Sequence, residues 1–355
     1  MGRRVGVEEE FLLVDAGTGR ATLDGPAVAA AADEQTELQR QQVETGTAPH
    51  TDLADVRADL TARRARVAAL AADSGSRLLA LATHPLPTEP VVTEGDRYQR
   101  LVEAYGLLAR EQLTCGCHVH VEVPDRDEAV AVLDRVRPWT AVLLALSSNS
   151  PFWQGEESGY ASYRARVWDR WPTAGPTPAF GDAAGYDRAA ERLLATGVPL
   201  DPGQLYYDVR VSATQPTVEV RVADVCLRAG DAVLLAGLAR ALVETAAREA
   251  ADGRGVPDVS VAELRAASWR ASHDGLGGVL VSPRSGRPAS AAEVVRELVD
   301  HVAPVLREDG DEGFVTEGLA GLARRGTGAD WQRAAAASSG PAGMVARAVE
   351  VTQEG

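Results

Sequence analysis

Lysine is absent from this sequence of 355 residues, so all 36 basic side chains are arginine. Without lysine there can be no P-loop lysine cradling a phosphate, no kinase strand lysine and no Schiff-base nucleophile. The abundance of Ala, Arg and Gly points to a GC-rich coding bias as the larger cause, and the exclusion holds either way. Cysteine is scarce: Cys115, Cys117 and Cys226 are too few for a disulfide framework. No charge-free apolar run approaches the about 20 residues that a membrane span needs. The opening MGRRVGVEEEF runs straight into charge where a signal peptide would turn apolar. These absences predict a cytoplasmic, reduced protein. Positive charge is also in deficit, with 51 acidic against 36 basic residues and a net charge of −15. That balance argues against nucleic acid or an anionic membrane as an extended partner. An anionic substrate then has to be received locally, by a metal ion or by arginine.

What is present is a 45% hydrophobic chain, long enough to bury a substantial core. RRVGVEEEFLLVD (3–15) alternates, then turns apolar, and predicts a strand closed by a turn at AGTGR. Helices are expected over 26–34 and 51–73, the second with Thr51 or Asp52 as its N-cap, and a strand within LQRQQVETGT between them. A buried strand over 77–84, a helix over 96–110, a strand over 115–123 and a helix over 127–147 follow. The stretch 148–178, rich in Trp, Gly, Pro and Ser, reads as one long irregular loop. LYYDVRVS and TVEVRVADV predict a hairpin, and from about residue 230 the pattern is helical, over 230–252, 259–274 and 290–308. Strands early and in the middle, without a regular strand–helix rhythm, indicate an α+β fold with a mainly antiparallel sheet. A single catalytic domain spanning 1–355, mainly helical in its last third, is the expected organisation.

Because strand side chains alternate, Glu8 and Glu10 share one face while Glu9 points to the other. The same rule groups His118, His120 and Glu122, and separately Glu219 with Arg221. Each pair alone has an ordinary explanation: an exposed charged edge for the glutamates, a structural histidine for the His-x-His. Several such pairs on alternating strands would converge on one acidic channel if the strands are neighbours. Glu37 and Glu44, seven apart, share a site only if the chain bends between them or Glu37 precedes the strand. An oxygen-rich set with one imidazole suits Mg²⁺ or Mn²⁺ better than zinc. Cys115 and Cys117, on the opposite face from His118, read as small core side chains. Hard cations beside arginines, in a chain without a P-loop, point to phosphate transfer from a metal-held nucleotide.

Blocks along the chain then become recognisable: GVEEEFLLVD (6–15), ELQRQQVETGT (37–47), ATHP (82–85), CGCHVHVEV (115–123), SPFWQG (150–155), GYASYR (159–164), DVR (208–210), TVEVRVAD (217–224), WRASHDGL (269–276) and GTGADWQR (326–333). In this order they resemble the type 2 glutamate-cysteine ligases, the YbdK-like carboxylate-amine ligases. The resemblance implies the fold shared by glutamine synthetase and glutamate-cysteine ligase, a curved antiparallel sheet with helices on its outer face and a funnel for ATP, metal and amino acid. It implies Glu8, Glu10, Glu44 and Glu219 as metal ligands, with Glu37 where the wider superfamily has another acidic residue. His118 and His120 become metal or nucleotide contacts. Arg221 resembles the arginine that meets the transferred phosphate, and Arg210 one that receives a substrate carboxylate. Arg164 is a candidate anion contact near the nucleotide, and Gln332 and Arg333 rest on the resemblance alone. ATHP stands where GTHP is more usual. Cys117 and Glu122 stand where the family often has Leu or Met and Gly, and Glu122 reads as an exposed strand end. Trp153, Trp168 and Trp171 read as loop anchors.

The activity implied is ATP- and magnesium-dependent amide formation through an acyl-phosphate, releasing ADP and phosphate. Small-molecule partners follow, a carboxylic acid with glutamate as the default and an amine with cysteine as the default; the oligomeric state, a homo-oligomer included, stays open. Two other readings share the fold: a phosphotransferase like the guanidino kinases, and a catalytically silent nucleotide-binding relative. A hydrolase built on His118 and His120 would want more nitrogen ligands and a βα-barrel rhythm, and neither is visible.

Overall fold

The computed structural model describes residues 2–354, and its architecture is organised around β1 (Val5–Asp15). On one side β1 pairs with β2 (Gln42–Gly46). On the other it pairs with β3 (Ser76–Leu79) through its second half and with β4 (Gly116–Glu122) through its first. A short separate hairpin, β5 (Phe152–Trp153) with β6 (Glu156–Glu157), follows in the chain. Then β7 (Val209–Val211) and β8 (Thr217–Asp224) complete a six-stranded sheet in the order β2-β1-β4-β8-β7, with β3 joined to β1. Every pairing in it is antiparallel.

Two apolar clusters lie behind this sheet. Val5, Val7, Val119, Val121, Val218 and Val220 pack on the helices Arg126–Val136, Thr140–Ser147 and Ala229–Ala251. Phe11 to Val14 and Leu78 to Ala82 pack on the helices Leu53–Asp73 and Gly328–Gln353. Cys117 belongs to the first cluster and Cys115 to the second, both fully buried. The helix starts are written locally. The Asp52 side chain accepts from Ala54 N at 2.7 Å, and Ser260–Glu263 and Ser290–Glu293 form capping boxes. Among the described residues, no helix is long and apolar enough to cross a membrane.

Expected elements differ from observed ones where glycine, proline or serine intervenes. The helix expected over 96–110 is two, Asp96–Tyr105 and Leu107–Glu111, because Gly106 adopts a φ of 58°. The helix over 127–147 passes through a 3₁₀ turn at Arg137–Trp139, where Pro138 lacks an N–H. The strand over 77–84 ends at Leu79. The supposed loop 148–178 contains the β5–β6 hairpin and the helix Tyr163–Trp168, which Ser162 caps. The helix Ala183–Leu194 and a hairpin of Val279–Val281 with Pro288–Ser290 were not expected.

Glu9 decides which face of β1 carries charge. Its fully buried carboxylate faces away from the other two glutamates and is gripped bidentately by Arg64, at 2.6 and 2.9 Å. Arg64 also donates to Cys226 O at 2.7 Å and Leu227 O at 3.2 Å, tying the 53–73 helix to the chain leaving β8. A one-residue slip of β1 would exchange the two faces and leave Arg64 unpaired inside the core. Glu9→Ala is therefore expected to destabilise the fold by about 3–5 kcal/mol, the cost of stranding a buried charge. Denaturant titration checks it, and an unchanged midpoint would show that the pair carries no such burden.

Candidate active site

The opposite face of the sheet floors a cavity of about 720 Å³, and strand register arranges its side chains in cross-strand rows. Glu10 faces Glu44, Glu8 faces both Gly46 and His118, and His120 faces Glu219, which in turn faces Arg210. A bulge interrupts the β4–β8 register between Cys117 and Val119. Arg221 and Val222 lie opposite His118 there, so Arg221 stays on the cavity face with Glu219 while Ala223 returns to the core. Glu37 precedes β2, on the far side of a bend, and joins Glu10 and Glu44.

These rows bring like charges together. Donor atoms of Glu8, His120 and Glu219 lie within 4.8 Å of one another, as do those of Glu8, Glu44 and His118 and those of Glu10, Glu37 and Glu44. The triads share Glu8 and Glu44, so they form one continuous cluster. His118 Nδ1 is 3.5 Å from Glu8 Oε2, and His120 Nε2 is 3.3 Å from Glu8 Oε1. The His120 ring is oriented by a 3.0 Å contact of Nδ1 with Thr217 Oγ1. Glu10 Oε2 accepts from Gly116 N at 2.6 Å. Arg210 donates its Nε to Glu219 Oε2 at 2.6 Å and its Nη2 to Oε1 at 3.2 Å, and Arg221 also pairs with Glu219. Arg210 Nη1 reaches Gly203 O at 2.9 Å. The Arg210 fork, which the resemblance assigns to a substrate carboxylate, is thus engaged by Glu219.

Proton affinities divide the cluster. Burial pushes Glu44 well above its ordinary value, and the charges of Glu37, Glu10 and Glu8 add to it. Burial likewise raises Glu10, with Arg164 and the Gly116 N–H opposing, and raises Glu37. Glu8 goes the other way: burial is outweighed by hydrogen bonds to His118 and His120, which hold it low. Burial also works against Glu219, yet Arg221 and Arg210 bring it to about 2. Burial and then Arg221 depress His118 to about 4, so its imidazole is neutral near pH 7. For His120 burial is outweighed by Glu8 and Glu219, and its affinity rises.

The donor set fits a hard divalent cation. His118 Nε2 is buried without a hydrogen-bond partner, and the neighbouring donors are carboxylate oxygens that repel one another without a cation. Glu8, Glu44 and His118 would hold one ion, with Glu10 and Glu37 or His120 and Glu219 available to a second. Cysteine is excluded from this shell, since Cys115 and Cys117 are buried in the two cores.

Other expected site residues fall elsewhere. Arg164 is buried on the same face of β4 as His118, with its guanidinium over the Trp168 ring, and is not part of the cavity lining. Arg333 lies away from it, donating to Glu157 at 2.8 Å and to Tyr160 O at 2.9 Å, and Gln332 holds Asn149. Glu122 sits at the rim, paired with Arg4. Trp168 and Trp171 anchor on Tyr206, with centroids at 5.0 and 5.5 Å, and also form a cavity wall, whereas Trp153 packs on Tyr163 outside it. Arg97, Gln112 and Tyr206, which the sequence did not single out, also line the cavity. No motif marks them; the unpartnered buried Gln112 Oε1 becomes visible only in the fold.

Glutamate-cysteine ligase family 2 matches residues 4–350. The chain belongs to this family. A family relative from Frankia alni is 51% identical over 358 residues, covering 95% of this chain and 94% of its own. One from Streptomyces coelicolor is 49% identical over 346 residues, covering 95% of each. Both are named glutamate-cysteine ligase 2 enzymes with the activity marked as unproven. Among solved structures, a glutamate-cysteine ligase from Francisella tularensis in complex with AMP superposes with a TM-score of 0.72 at 14% identity, covering 99% of this chain and 88% of that one. A bifunctional glutathione synthetase from Pasteurella multocida gives 0.72 at 18% identity; this chain is covered to 99% and spans 52% of that longer protein. These likenesses establish the glutamate-cysteine ligase-like fold, a curved antiparallel sheet with helices packed behind it.

A carboxyl whose pKa is higher folded than unfolded stabilises fully only below its ordinary value, and that contribution is lost as pH rises through the folded value. Glu44 is such a group, so in EDTA Glu44→Gln should exceed the wild type in melting temperature by a margin that grows from about pH 5 to about pH 8. Mg²⁺ should then raise the wild type and close the gap, by about 2.7 kcal/mol at a hundredfold excess over its dissociation constant. Melting curves across pH with EDTA or Mg²⁺ check this. A Glu44→Gln protein less stable than wild type in EDTA at about pH 8 would contradict it.

Proposed function

We propose that this protein is an ATP- and divalent-metal-dependent carboxylate-amine ligase that forms an amide through an acyl-phosphate. The observation that carries the reading is the continuous carboxylate–imidazole cluster running into the Glu219–Arg221–Arg210 group on one cavity floor. Membership of glutamate-cysteine ligase family 2 supports it. We read residues 1–355 as one catalytic unit, with glutamate as the default acid, cysteine as the default amine and Mg²⁺ or Mn²⁺ as the ion.

The bound cation would neutralise the phosphates of ATP and polarise the terminal one. Glu8, Glu10, Glu37, Glu44, Glu219 and the neutral His118 are the residues that would hold it, with His120 as a further contact. A substrate carboxylate oxygen then attacks the γ-phosphorus, the bond to the β-phosphate oxygen breaks, and ADP leaves. The amine nitrogen attacks the resulting acyl carbon, loses a proton, and expels phosphate with the former carboxylate oxygen. Charge on the equatorial oxygens of the transferring group is met by Arg221, whose planar fork can reach two of them where a lysine offers one point charge. Glu219 holds Arg221 and Arg210 in place.

Release of ADP and phosphate that depends on both an acid and an amine is the expected outcome of a substrate screen. Oxygen-18 from the labelled carboxylate should appear in phosphate. Stoichiometric AMP and pyrophosphate would contradict the acyl-phosphate route, and a stable phosphorylated product formed without amine would favour a phosphotransferase. Arg221→Lys keeps the charge and loses the geometry, so kcat should fall on the order of 10² to 10³ with a smaller change in ATP affinity. A wild-type kcat with a lowered melting temperature would make Arg221 a structural partner of Glu219 only.

A further inference from the structure

Four arginines line the cavity, and three of them are engaged by carboxylates: Arg4 by Glu122, and Arg210 and Arg221 by Glu219. Among the described residues the fourth, Arg97, has no ion-pair or hydrogen-bond partner. Its helix, Asp96–Tyr105, is fastened to the β2 edge of the sheet. Tyr98 Oη donates to Thr36 O, and just before the helix Thr93 N donates to Leu38 O at 2.9 Å and Thr93 Oγ1 to Glu37 O at 2.7 Å. The guanidinium reaches the other edge. Arg97 Nη2 would lie 3.9 Å from a Cβ placed on Gly203, in the segment leading into β7. Since β2 and β7 are the two edges of the sheet, the side chain crosses the cavity above the acidic floor. The Gly203 segment is itself fixed. Gln204 is buried, its Oε1 accepting from Tyr105 Oη at 2.7 Å and from Leu200 N at 2.9 Å, and Gly203 O accepts from Arg210 Nη1 at 2.9 Å. Tyr206 follows on the cavity wall, its ring held by Trp168 and Trp171. Burial pushes its phenol up to about 12, with the charges of Arg221 and Arg97 opposing, so the hydroxyl remains an O–H donor at neutral pH.

We propose that Arg97, with the Tyr206 hydroxyl, receives a spectator carboxylate, one that a substrate carries but that takes no part in the amide being formed. The substrate class is thereby narrowed to acids with a second carboxylate or amines that bear one, as α-amino acids do. This rests on the ligase reading, and it fills the place left by Arg210, whose fork Glu219 already engages. The reacting carboxylate is drawn to the cation and to Arg221 on the floor, so a second carboxylate finds its unpaired positive charge across the cavity, at Arg97. A planar guanidinium can take both oxygens of a carboxylate at once, which fixes the orientation of the substrate as well as meeting its charge. In a protein of net charge −15, an arginine without a partner is the local receiver that an anionic group requires. Arg97 touches substrate away from the reacting atoms, so it determines specificity, and its loss should appear chiefly in KM.

Steady-state phosphate release from ATP and Mg²⁺ by the full-length protein tests this with paired substrates. The acid and amine that support release are each compared with an analogue lacking the second carboxylate: 4-aminobutyrate for glutamate, cysteamine for cysteine. The wild type should prefer the carboxylate-bearing member of at least one pair, and that pair identifies which substrate Arg97 reads. Arg97→Gln should shrink this preference, taken as a ratio of kcat/KM, roughly 10- to 100-fold, the scale for losing a hydrogen-bonded charged partner. Arg97→Lys should restore part of it. For an analogue that is not turned over, its inhibition constant replaces kcat/KM. Arg97 is exposed, so the Arg97→Gln protein should fold and keep its melting temperature. An unchanged ratio in both pairs, or release by the wild type that needs no second carboxylate on either substrate, would overturn the proposal and leave the ligase reading standing. Absence of phosphate release with any acid and amine would instead overturn the ligase reading, and this proposal with it.

Discussion

Three consecutive glutamates on one strand have to be sorted between two faces, and the Glu9–Arg64 pair does the sorting. Strand alternation puts Glu8 and Glu10 together whatever happens to Glu9, but it does not say which face is inward. With Arg64 fixed by its carbonyl contacts to Cys226 and Leu227, the buried side can accept only the middle glutamate. Glu8 and Glu10 are thereby committed to the cavity. Their cross-strand partners Glu44, His118 and, one row on, Glu219 follow from pairing alone. A buried ion pair adds little net stability compared with an apolar pair of similar shape, and register specification is the best-attested use of such a pair.

The cavity floor is the electrostatic counterpart of that commitment. Carboxylates converge there to distances at which some of them hold protons at pH values where isolated glutamates would not. The protein nevertheless supplies cations selectively. Arg210 and Arg221 pair with Glu219 at one end, and among the described residues no arginine forms an ion pair with Glu10, Glu37 or Glu44. The uncompensated end suits a divalent ion, and the compensated end suits the transferred phosphoryl group. A polarity of this kind along a single sheet face lets a strongly acidic protein receive a polyanion, which its net charge alone would repel.

Much of this was legible because it obeys the period of two. The shared faces of Glu8 with Glu10, His118 with His120 and Glu219 with Arg221 need only an alternating strand, and the antiparallel α+β class follows from element order. Glu37 was legible only conditionally, since its approach to Glu44 depends on the bend at Leu38 and the turn at Arg40 that separate it from β2. The partner of Glu9 was not legible at all, because nothing local links positions 55 residues apart. Arg333 was sought at the cavity because its motif travels with the family, yet its side chain braces the 157–160 segment. Motifs that recur together can serve the scaffold as well as the chemistry.

The acidic floor between β2 and β8 has the chemistry of a divalent-cation site. Anomalous diffraction from Mn²⁺-soaked crystals of the wild-type protein addresses it without assuming any substrate. At least one Mn²⁺ peak is expected about 2.1 Å from donor atoms of Glu8, Glu44 and His118, or of Glu10, Glu37 and Glu44. A cavity without any such peak at saturating Mn²⁺, with the carboxylates instead bridged by protons or turned toward arginine, would contradict it.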